Sequence, residues 1–230
     1  RKKKGGIKVH TLYDVETQIP AFFHITEASV HDSKVMIEIP YEPSSYYIFD
    51  RGYNNFKMLY KIHQIEAYFV VRAKKNLQYK SIQWKRKLPR NVLSDASVLL
   101  TGFYPKQYYP EPLRLVKYWD EEQEREFIFI TNAMHISALQ VAELYKNRWQ
   151  VELFFKWLKQ HLKIKRFWGT TENAVRIQIY AAICAYCLVA IIQHDMQLDR
   201  STYEVLQILS ISLTDKTHLR DLFDKTKFQN

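Results

Sequence analysis

The residues Tyr46-Tyr47-Ile48-Phe49-Asp50-Arg51-Gly52-Tyr53 decide how this chain is expected to fold. Four apolar residues in a row predict a short buried strand, and the Asp and Gly that follow predict a tight turn at its end. A carboxylate at the end of a buried strand is costly unless it caps the turn, forms a pair or binds a cation. A helix from Phe56 to Gln64 and a strand from Ala67 to Arg72 come next, so the pattern indicates an α/β fold.

Upstream of this stretch the sequence predicts two strands, Gly6 to Tyr13 and Ala21 to Thr26, and a helix start at which Asp32 is the N-cap. Downstream, residues 73–126 are rich in cations and broken by prolines, and they show no helical periodicity. We therefore expect an antiparallel β insertion, whose candidate strands are Tyr79 to Trp84, Val98 to Phe103, Leu113 to Trp119 and Phe127 to Thr131.

From Ser137 onward the pattern is helical. It predicts one long helix to about Lys163, a second from about Glu172 to His194, a third from Thr202 to about Leu209, and a charged C-terminal helix or tail. The second helix contains 14 consecutive apolar residues, Ile179 to Ile192. That run is shorter than the roughly 20 residues needed to span a bilayer, so we expect a buried helix rather than a membrane segment.

Four side chains of the long helix are expected to share one face. Tyr145, Arg148, Glu152 and Lys159 fall within a stripe about 60° wide at about 100° per residue. A surface ion pair between Arg148 and Glu152, which is worth at most about 0.5 kcal/mol, is the simpler interpretation. Together with Asp50, however, Glu152 would provide oxygen ligands of the kind that Mg²⁺ or Mn²⁺ prefers over zinc.

Composition narrows the class of protein without choosing a partner. The chain has 230 residues and a formal net charge of +10. This charge favours a polyanionic partner, such as nucleic acid or a membrane surface, but a well-solvated basic domain without such a partner has the same composition. Cys184 and Cys187 have helical spacing and no second cysteine pair, so we expect buried structural thiols in a reducing cytoplasm. The basic residues 1–4 are not followed by the apolar core of a secretory signal.

The ordered set of motifs resembles a known family. Phe49 to Tyr53, Thr131-Asn132 and the pattern Tyr145-x2-Arg148-x3-Glu152-x6-Lys159 are similar to those of bacterial insertion-sequence transposases of the DDE type with the Tyr-Arg-Glu-Lys signature. Flanking matches at Gly6 to His10, Phe69 to Arg72 and Phe167 to Gly169 extend the resemblance over most of residues 5–192.

The resemblance implies a ribonuclease-H-like core with an inserted antiparallel β subdomain and C-terminal helices. Asp50 and Glu152 then correspond to the second and third metal ligands, and Tyr145, Arg148 and Lys159 to contacts with the DNA backbone. The resemblance also implies two Mg²⁺ (or Mn²⁺) ions as cofactors and double-stranded DNA, from the transposon ends and the target, as the substrate. It further implies a homodimer on paired ends and a cytoplasmic location at the bacterial nucleoid.

The chain departs from the family at its N-terminus, because no strand carrying the first catalytic Asp precedes Gly6, and neither Asp14 nor Asp32 is a good substitute. We therefore expect the C-terminal two-thirds of a transposase. Its predicted parts are a first core segment (1–72), the insertion (73–131), a second core segment (132–200), and a C-terminal helix and tail (201–230). A non-catalytic DNA-binding or regulatory fragment, or a ribonuclease-H-like nuclease, are the alternatives.

Overall fold

The computed structural model describes residues 6–161, 167–169, 171–212 and 216–225. The chain divides into two compact units. The first contains Arg1–Leu12 and Phe22–Gln150, and the second contains Tyr13–Ala21 and Val151–Asn230. The boundaries of the four parts expected from the sequence stay a prediction.

The first unit is a mixed α/β structure. Its strands are β1 (Ile7–Asp14), β2 (Ile19–Glu27), β3 (Tyr46–Phe49), β4 (Tyr68–Arg72), β5 (Tyr79–Trp84), β6 (Val92–Leu100), β7 (Leu113–Asp120) and β8 (Arg125–Thr131). The tip of the β1–β2 hairpin belongs to the second unit. Its helices are α1 (Phe56–Gln64), α2 (Phe103–Tyr108) and α3 (Ala138–Lys146), with two 3-10 helices at Asp32–Ile37 and Arg51–Tyr53.

Six of the strands form one sheet in the order β3-β4-β8-β7-β6-β5. Strand β3 pairs with β4 in parallel, and every other neighbouring pair is antiparallel. The strands expected in an insertion therefore continue the same sheet as β3 and β4. The α/β class and the antiparallel character of residues 79–131 are confirmed, whereas a ribonuclease-H-like core stays a prediction.

Both faces of this sheet are covered, because successive side chains of a strand point to opposite sides. Val71, Leu115 and Ile130 pack on one face with α1 residues such as Leu59 and Ile62. The opposite face is covered by α3, and this cluster consists of Val70, Val92, Val116, Phe127, Phe129, Ala138, Val141, Ala142 and Tyr145. The sheet is thus the middle layer of three, and the last turn of α3 packs against the sheet.

Two expectations for the first unit were wrong. The 3-10 helix that begins at Asp32 is capped by His31, whose side chain accepts a hydrogen bond from the Ser33 N–H, because the Asp32 carboxylate is bound to Lys8 instead. Residues 103–108 form the short helix α2, although no helix was expected between 73 and 126. Its backbone N–H groups at Lys106 and Tyr109 donate to carbonyls four residues earlier.

The expected single helix from Ser137 to about Lys163 was also wrong, because it breaks after Lys146. Helix α3 begins with a capping box between Ser137 and Gln140, and α4 starts only at Trp149. Between them the backbone tightens, since the N–H groups of Asn147, Arg148 and Gln150 donate to carbonyls three residues earlier. Lys163, the expected end, lies outside the described residues.

The second unit is helical in its described part. It contains α5 (Glu172–Asp195), α6 (Thr202–Ile211), α7 (Leu219–Lys225) and most of α4. Helix α4 runs from Trp149 to His161, and its residues from Val151 onward belong to this unit. Val189 of α5 packs with Val205 and Ile208 of α6 and with Phe223. At the hairpin tip, the hydroxyls of Tyr13 and Tyr186 are 3.1 Å apart.

Helix α5 is not the fully buried helix that its sequence suggested. By length and composition it could cross a membrane, a test that core helices of soluble proteins also pass, and 28% of its most apolar window is buried. Ile183 and Tyr186 lie on its buried face. Cys184 is exposed and Cys187 is half-buried, so the expectation of two buried thiols was wrong for Cys184 because it lies on the other side of the helix.

Candidate active site around Asp50

Asp50 lies where β3 ends and the chain turns away from the sheet. Its backbone is extended, and its side-chain Oδ1 accepts a 2.7 Å hydrogen bond from the N–H of Arg51, so it caps the 3-10 helix that follows. The next strand in the sheet, β4, runs parallel to β3 and ends at Arg72. Asp50 and Arg72 therefore lie at the same edge of the sheet.

Tyr145 joins this edge from the last turn of α3. Its ring is 6% exposed and lies 4.7 Å from the ring of Phe129, and its hydroxyl donates to Asp50 Oδ1 over 3.2 Å. Burial, followed by the charge of Asp50, raises the pKa of Tyr145 to about 12. The phenol therefore stays protonated at neutral pH and acts as a donor that orients the carboxylate.

Both of these hydrogen bonds go to Oδ1 of Asp50. Its Oδ2 accepts none from the part of the chain that the structure describes, and the residue is exposed. An oriented carboxylate with an open oxygen fits a divalent cation such as Mg²⁺. Among the described residues, no group of three or more His, Cys, Asp and Glu side chains is arranged to hold a metal ion.

Three arginines lie in the same cavity lining as Asp50. Arg148 has its guanidinium carbon 5.7 Å from the centre of the Tyr145 ring, and Arg72 and Arg125 have theirs 4.8 Å and 4.4 Å from the centre of the Phe127 ring. These side chains and Asp50 line a cavity of about 510 Å³. Asp120 and Glu122 line it as well, so the wall contains three carboxylates beside the guanidinium groups of Arg72, Arg125 and Arg148. Guanidinium groups close to a carboxylate that could bind a metal ion suit a phosphate diester.

Sequence reasoning gave no role to Arg72, Arg125 or Phe127. Arg72 belongs to a stretch that matches the family, and its place after the strand next to β3 was a signal that it would lie near Asp50. Arg125 and Phe127 offered no such signal, because they reach the site through the antiparallel pairing of β8 with β4. Burial and then the charge of Arg51 lower the pKa of Arg72, as expected for crowded cations.

A second polar cluster lies directly behind the turn. A methyl group added at Gly52 would come 2.9 Å from Asp32 Oδ2, so a larger side chain there would push against this carboxylate. Lys8 Nζ is 3.0 Å from Asp32 Oδ1. His10 Nδ1 is 3.3 Å from the hydroxyl of Tyr53, and burial lowers the pKa of this histidine.

The five residues expected in the site are distributed over both units. Asp50, Tyr145 and Arg148 come together in the first unit, as described above. Glu152 and Lys159 both lie on α4 in the second unit, seven positions apart and hence on the same side of that helix. Because α3 and α4 are separate helices, the single continuous helix on which the four-residue stripe was predicted was wrong. The roles of all five residues stay predictions.

The Thr131-Asn132 motif has a structural role. Asn132 is buried, its amide accepts from the N–H of Phe69 over 2.9 Å, and it donates to the carbonyl of Ala67 over 2.8 Å. The Thr131 hydroxyl accepts from the N–H of Ala133 over 3.0 Å. This motif fastens the end of β8 to the start of β4 and so fixes the strand that carries Arg72.

Comparison with known families decides the assignment. Residues 1–188 match the model described as "Transposase DDE domain". The chain belongs to this DDE transposase family. Several curated transposases resemble it over most of its length. It is 36% identical over 224 residues to a putative transposase, y4zB, of Sinorhizobium fredii (strain NBRC 101917 / NGR234), an alignment that covers 94% of this chain and 61% of that protein.

Two further relatives carry the names of insertion sequences. The probable transposase for insertion sequence element IS5377 of Geobacillus stearothermophilus is 32% identical over 190 residues, which is 81% of this chain and 49% of the relative. The putative transposase for insertion sequence element IS4SA of Synechocystis sp. (strain ATCC 27184 / PCC 6803 / Kazusa) is 25% identical over 223 residues, or 91% and 60%. This transposase domain thus spans at most 61% of the length of these three relatives.

Proposed function

We propose that this chain is part of a DDE-type DNA transposase that binds the ends of a mobile element, and cuts and joins DNA strands by metal-dependent hydrolysis and transesterification. The observation that carries the proposal is the Asp50 carboxylate, oriented by Tyr145 and exposed to a cavity lined by Arg72, Arg125 and Arg148. Membership of the transposase family supports the same reading.

In this mechanism the protein positions the reactants. Asp50 and Glu152 are the proposed ligands of Mg²⁺ or Mn²⁺, and Tyr145 holds Asp50 in one orientation through its hydroxyl. When bound, two such ions supply an activated water or 3′-hydroxyl and stabilise the leaving oxygen. Arg148 grips a phosphate of the DNA backbone through two parallel hydrogen bonds, and Lys159 adds a point charge.

The proposed partners follow from this chemistry. Double-stranded DNA of the terminal repeats and of the target is the substrate, and a homodimer brings two ends together. The proposed place of action is the bacterial nucleoid in the cytoplasm. The net charge of +10 supports a polyanionic partner of this kind.

Cleavage of a terminal-repeat duplex in the presence of Mg²⁺ tests the proposal. This chain and a version extended upstream are compared, each as wild type, Asp50→Asn, Glu152→Gln and the control Glu111→Gln, which alters an exposed carboxylate that accepts from Tyr60. In the extended version we expect cleavage by the wild type and by the control, and a loss of at least about a hundredfold in the two site variants.

Two results would contradict the proposal. Full cleavage by Asp50→Asn would show that this carboxylate does not hold a catalytic metal. Salt-dependent DNA binding without cleavage in either form, unchanged by Mg²⁺ and by Glu152→Gln, would instead favour a DNA-binding or regulatory protein. Strand-transfer joints among the products separate a transposase from a nuclease on the same fold.

A further inference from the structure

Positive charge is concentrated in one stretch of the chain, of which the proposed site uses only Arg72. Residues 67–94 contain eight Lys and Arg residues and no Asp or Glu. The formal charge of this stretch is therefore almost as large as the net charge of the whole chain, which is +10. The stretch runs from β4 through β5 into the turn before β6. Strand β5 is the last strand of the sheet, so one of its edges pairs with no other strand of that sheet.

Some of these cations are already balanced. Lys85 Nζ lies 3.2 Å from Asp95, and Arg90 lies 3.0 Å from Glu121. Lys80 on β5, and Arg86 and Lys87 in the turn, are exposed and form no ion pair with any residue that the structure describes. We call these three side chains the β5-edge cations.

The register of the sheet relates the β5-edge cations to Asp50. One continuous row of paired residues crosses all six strands, from Phe49 on β3 to Trp84 on β5, and consists of Phe49, Val71, Ile130, Leu115, Ala96 and Trp84. Asp50 follows Phe49, and Arg86 and Lys87 come shortly after Trp84. Arg86 and Lys87 therefore lie at the same end of the sheet as Asp50, five strand spacings or about 24 Å away, whereas Lys80, paired with Leu99, lies nearer the other end of β5.

We propose that the β5-edge cations bind the sugar-phosphate backbone of double-stranded DNA, at a surface separate from the cavity beside Asp50. This inference rests on the proposed function, which supplies DNA as the partner. A spacing of about 24 Å corresponds to roughly seven base pairs at 3.4 Å per pair, so the surface contacts duplex well away from the phosphate beside Asp50. Contacts of this kind set the position of the duplex and do not read its sequence.

A different role for the same cations is protection of an open edge. Lysines on an edge strand discourage pairing with strands of other molecules, and β5 carries Lys80 in such a position. That role explains a cation on the strand itself, but Arg86 and Lys87 lie in the turn after it. A surface that binds DNA accounts for all three side chains.

The test is the salt dependence of DNA binding, measured without Mg²⁺ on the full chain and a random-sequence duplex of about 30 base pairs. The triple variant Lys80→Gln/Arg86→Gln/Lys87→Gln is compared with the wild type and with Arg90→Gln/Glu121→Gln, which removes a cation from the same turn without changing the net charge. Loss of three phosphate contacts lowers the slope of log K against log salt by about 2.7. The control is expected to keep the wild-type slope.

Each outcome decides between the alternatives, provided that circular dichroism and the melting temperature show folded variants. A wild-type slope in the triple variant overturns the inference and leaves the proposed function intact. Unchanged binding combined with new aggregation assigns the three cations to edge protection. If the wild type itself shows no salt-dependent binding, DNA is not the partner and the proposed function fails as well.

Discussion

The ion pair between Arg114 and Asp95 holds together the sheet that carries the candidate site. Arg114 is 2% exposed and Asp95 is 3% exposed, and two hydrogen bonds join them, from Nε to Oδ1 over 2.8 Å and from Nη2 to Oδ2 over 2.7 Å. Arg114 also donates through Nη1 to the carbonyls of Ala133 and Ile136, in the loop that leads into α3. The substitution Arg114→Met removes the charge and all four of these bonds while keeping an unbranched apolar side chain.

We expect Arg114→Met to lower the free energy of unfolding by about 3–5 kcal/mol, because it leaves a buried carboxylate without its main partner. The exposed Lys85, 3.2 Å from Asp95, compensates only in part. For a protein of this length, that loss corresponds to a melting temperature lower by about 10 °C. Urea titration followed by circular dichroism measures it directly.

The double variant Asp95→Leu/Arg114→Met is the matched control. It removes both charges, so the remaining cost is that of repacking, and we expect it to be more stable than Arg114→Met alone. A loss below about 1 kcal/mol for Arg114→Met, with an unchanged urea slope, would refute the argument that this pair is desolvated. So would a double variant that is less stable than the single one.

Three further outcomes are expected. Tyr145→Phe removes the donor to Asp50 but keeps the packed ring, so cleavage falls about tenfold while the urea midpoint changes little; equal cleavage rates would contradict this. Gly52→Ala pushes against Asp32 and lowers the free energy of unfolding by about 1 kcal/mol, measured by urea titration, whereas unchanged stability would show that the carboxylate moves aside freely. Burial alone would raise the pKa of Asp95, but the bonds of this carboxylate to Arg114 and Lys85 hold its pKa below the usual value. The contribution of Asp95 to stability is therefore complete above about pH 4 and is lost as the pH falls through the lowered pKa. Asp95→Asn should lack this acid-dependent loss in a pH series of melting temperatures.

Local patterns predicted the elements that carry their own signals. The strand Tyr46–Phe49, the helix Phe56–Gln64 and the strand Tyr79–Trp84 agree with the structure residue by residue. The helix, for example, begins at Asn55, whose side chain accepts from the N–H of Met58 as an N-cap should. The position of Asp50 after a buried strand was visible for the same reason.

Two kinds of feature could not be predicted from the sequence: those that depend on pairing between distant strands, and those that depend on a local change in the hydrogen-bond pattern of a helix. The apolar periodicity continues through Asn147 and Arg148, although the backbone there changes to bonds three residues apart and separates α3 from α4. Helix α2 was missed because its six residues are too few to show a period. Arg125 and Phe127 reach Asp50 only through the pairing of β8 with β4, which no local pattern encodes.

The cavity beside Asp50 combines an oriented carboxylate with crowded positive charge. Arg72 and Arg125 both make a cation–π contact with the ring of Phe127, and their positive charges repel each other there. Neither forms an ion pair with a residue that the structure describes. Such an arrangement costs stability in the free protein and is relieved when an anion enters. The neighbouring guanidinium groups of Arg72 and Arg125 therefore support the proposal that a phosphate binds at this edge of the sheet.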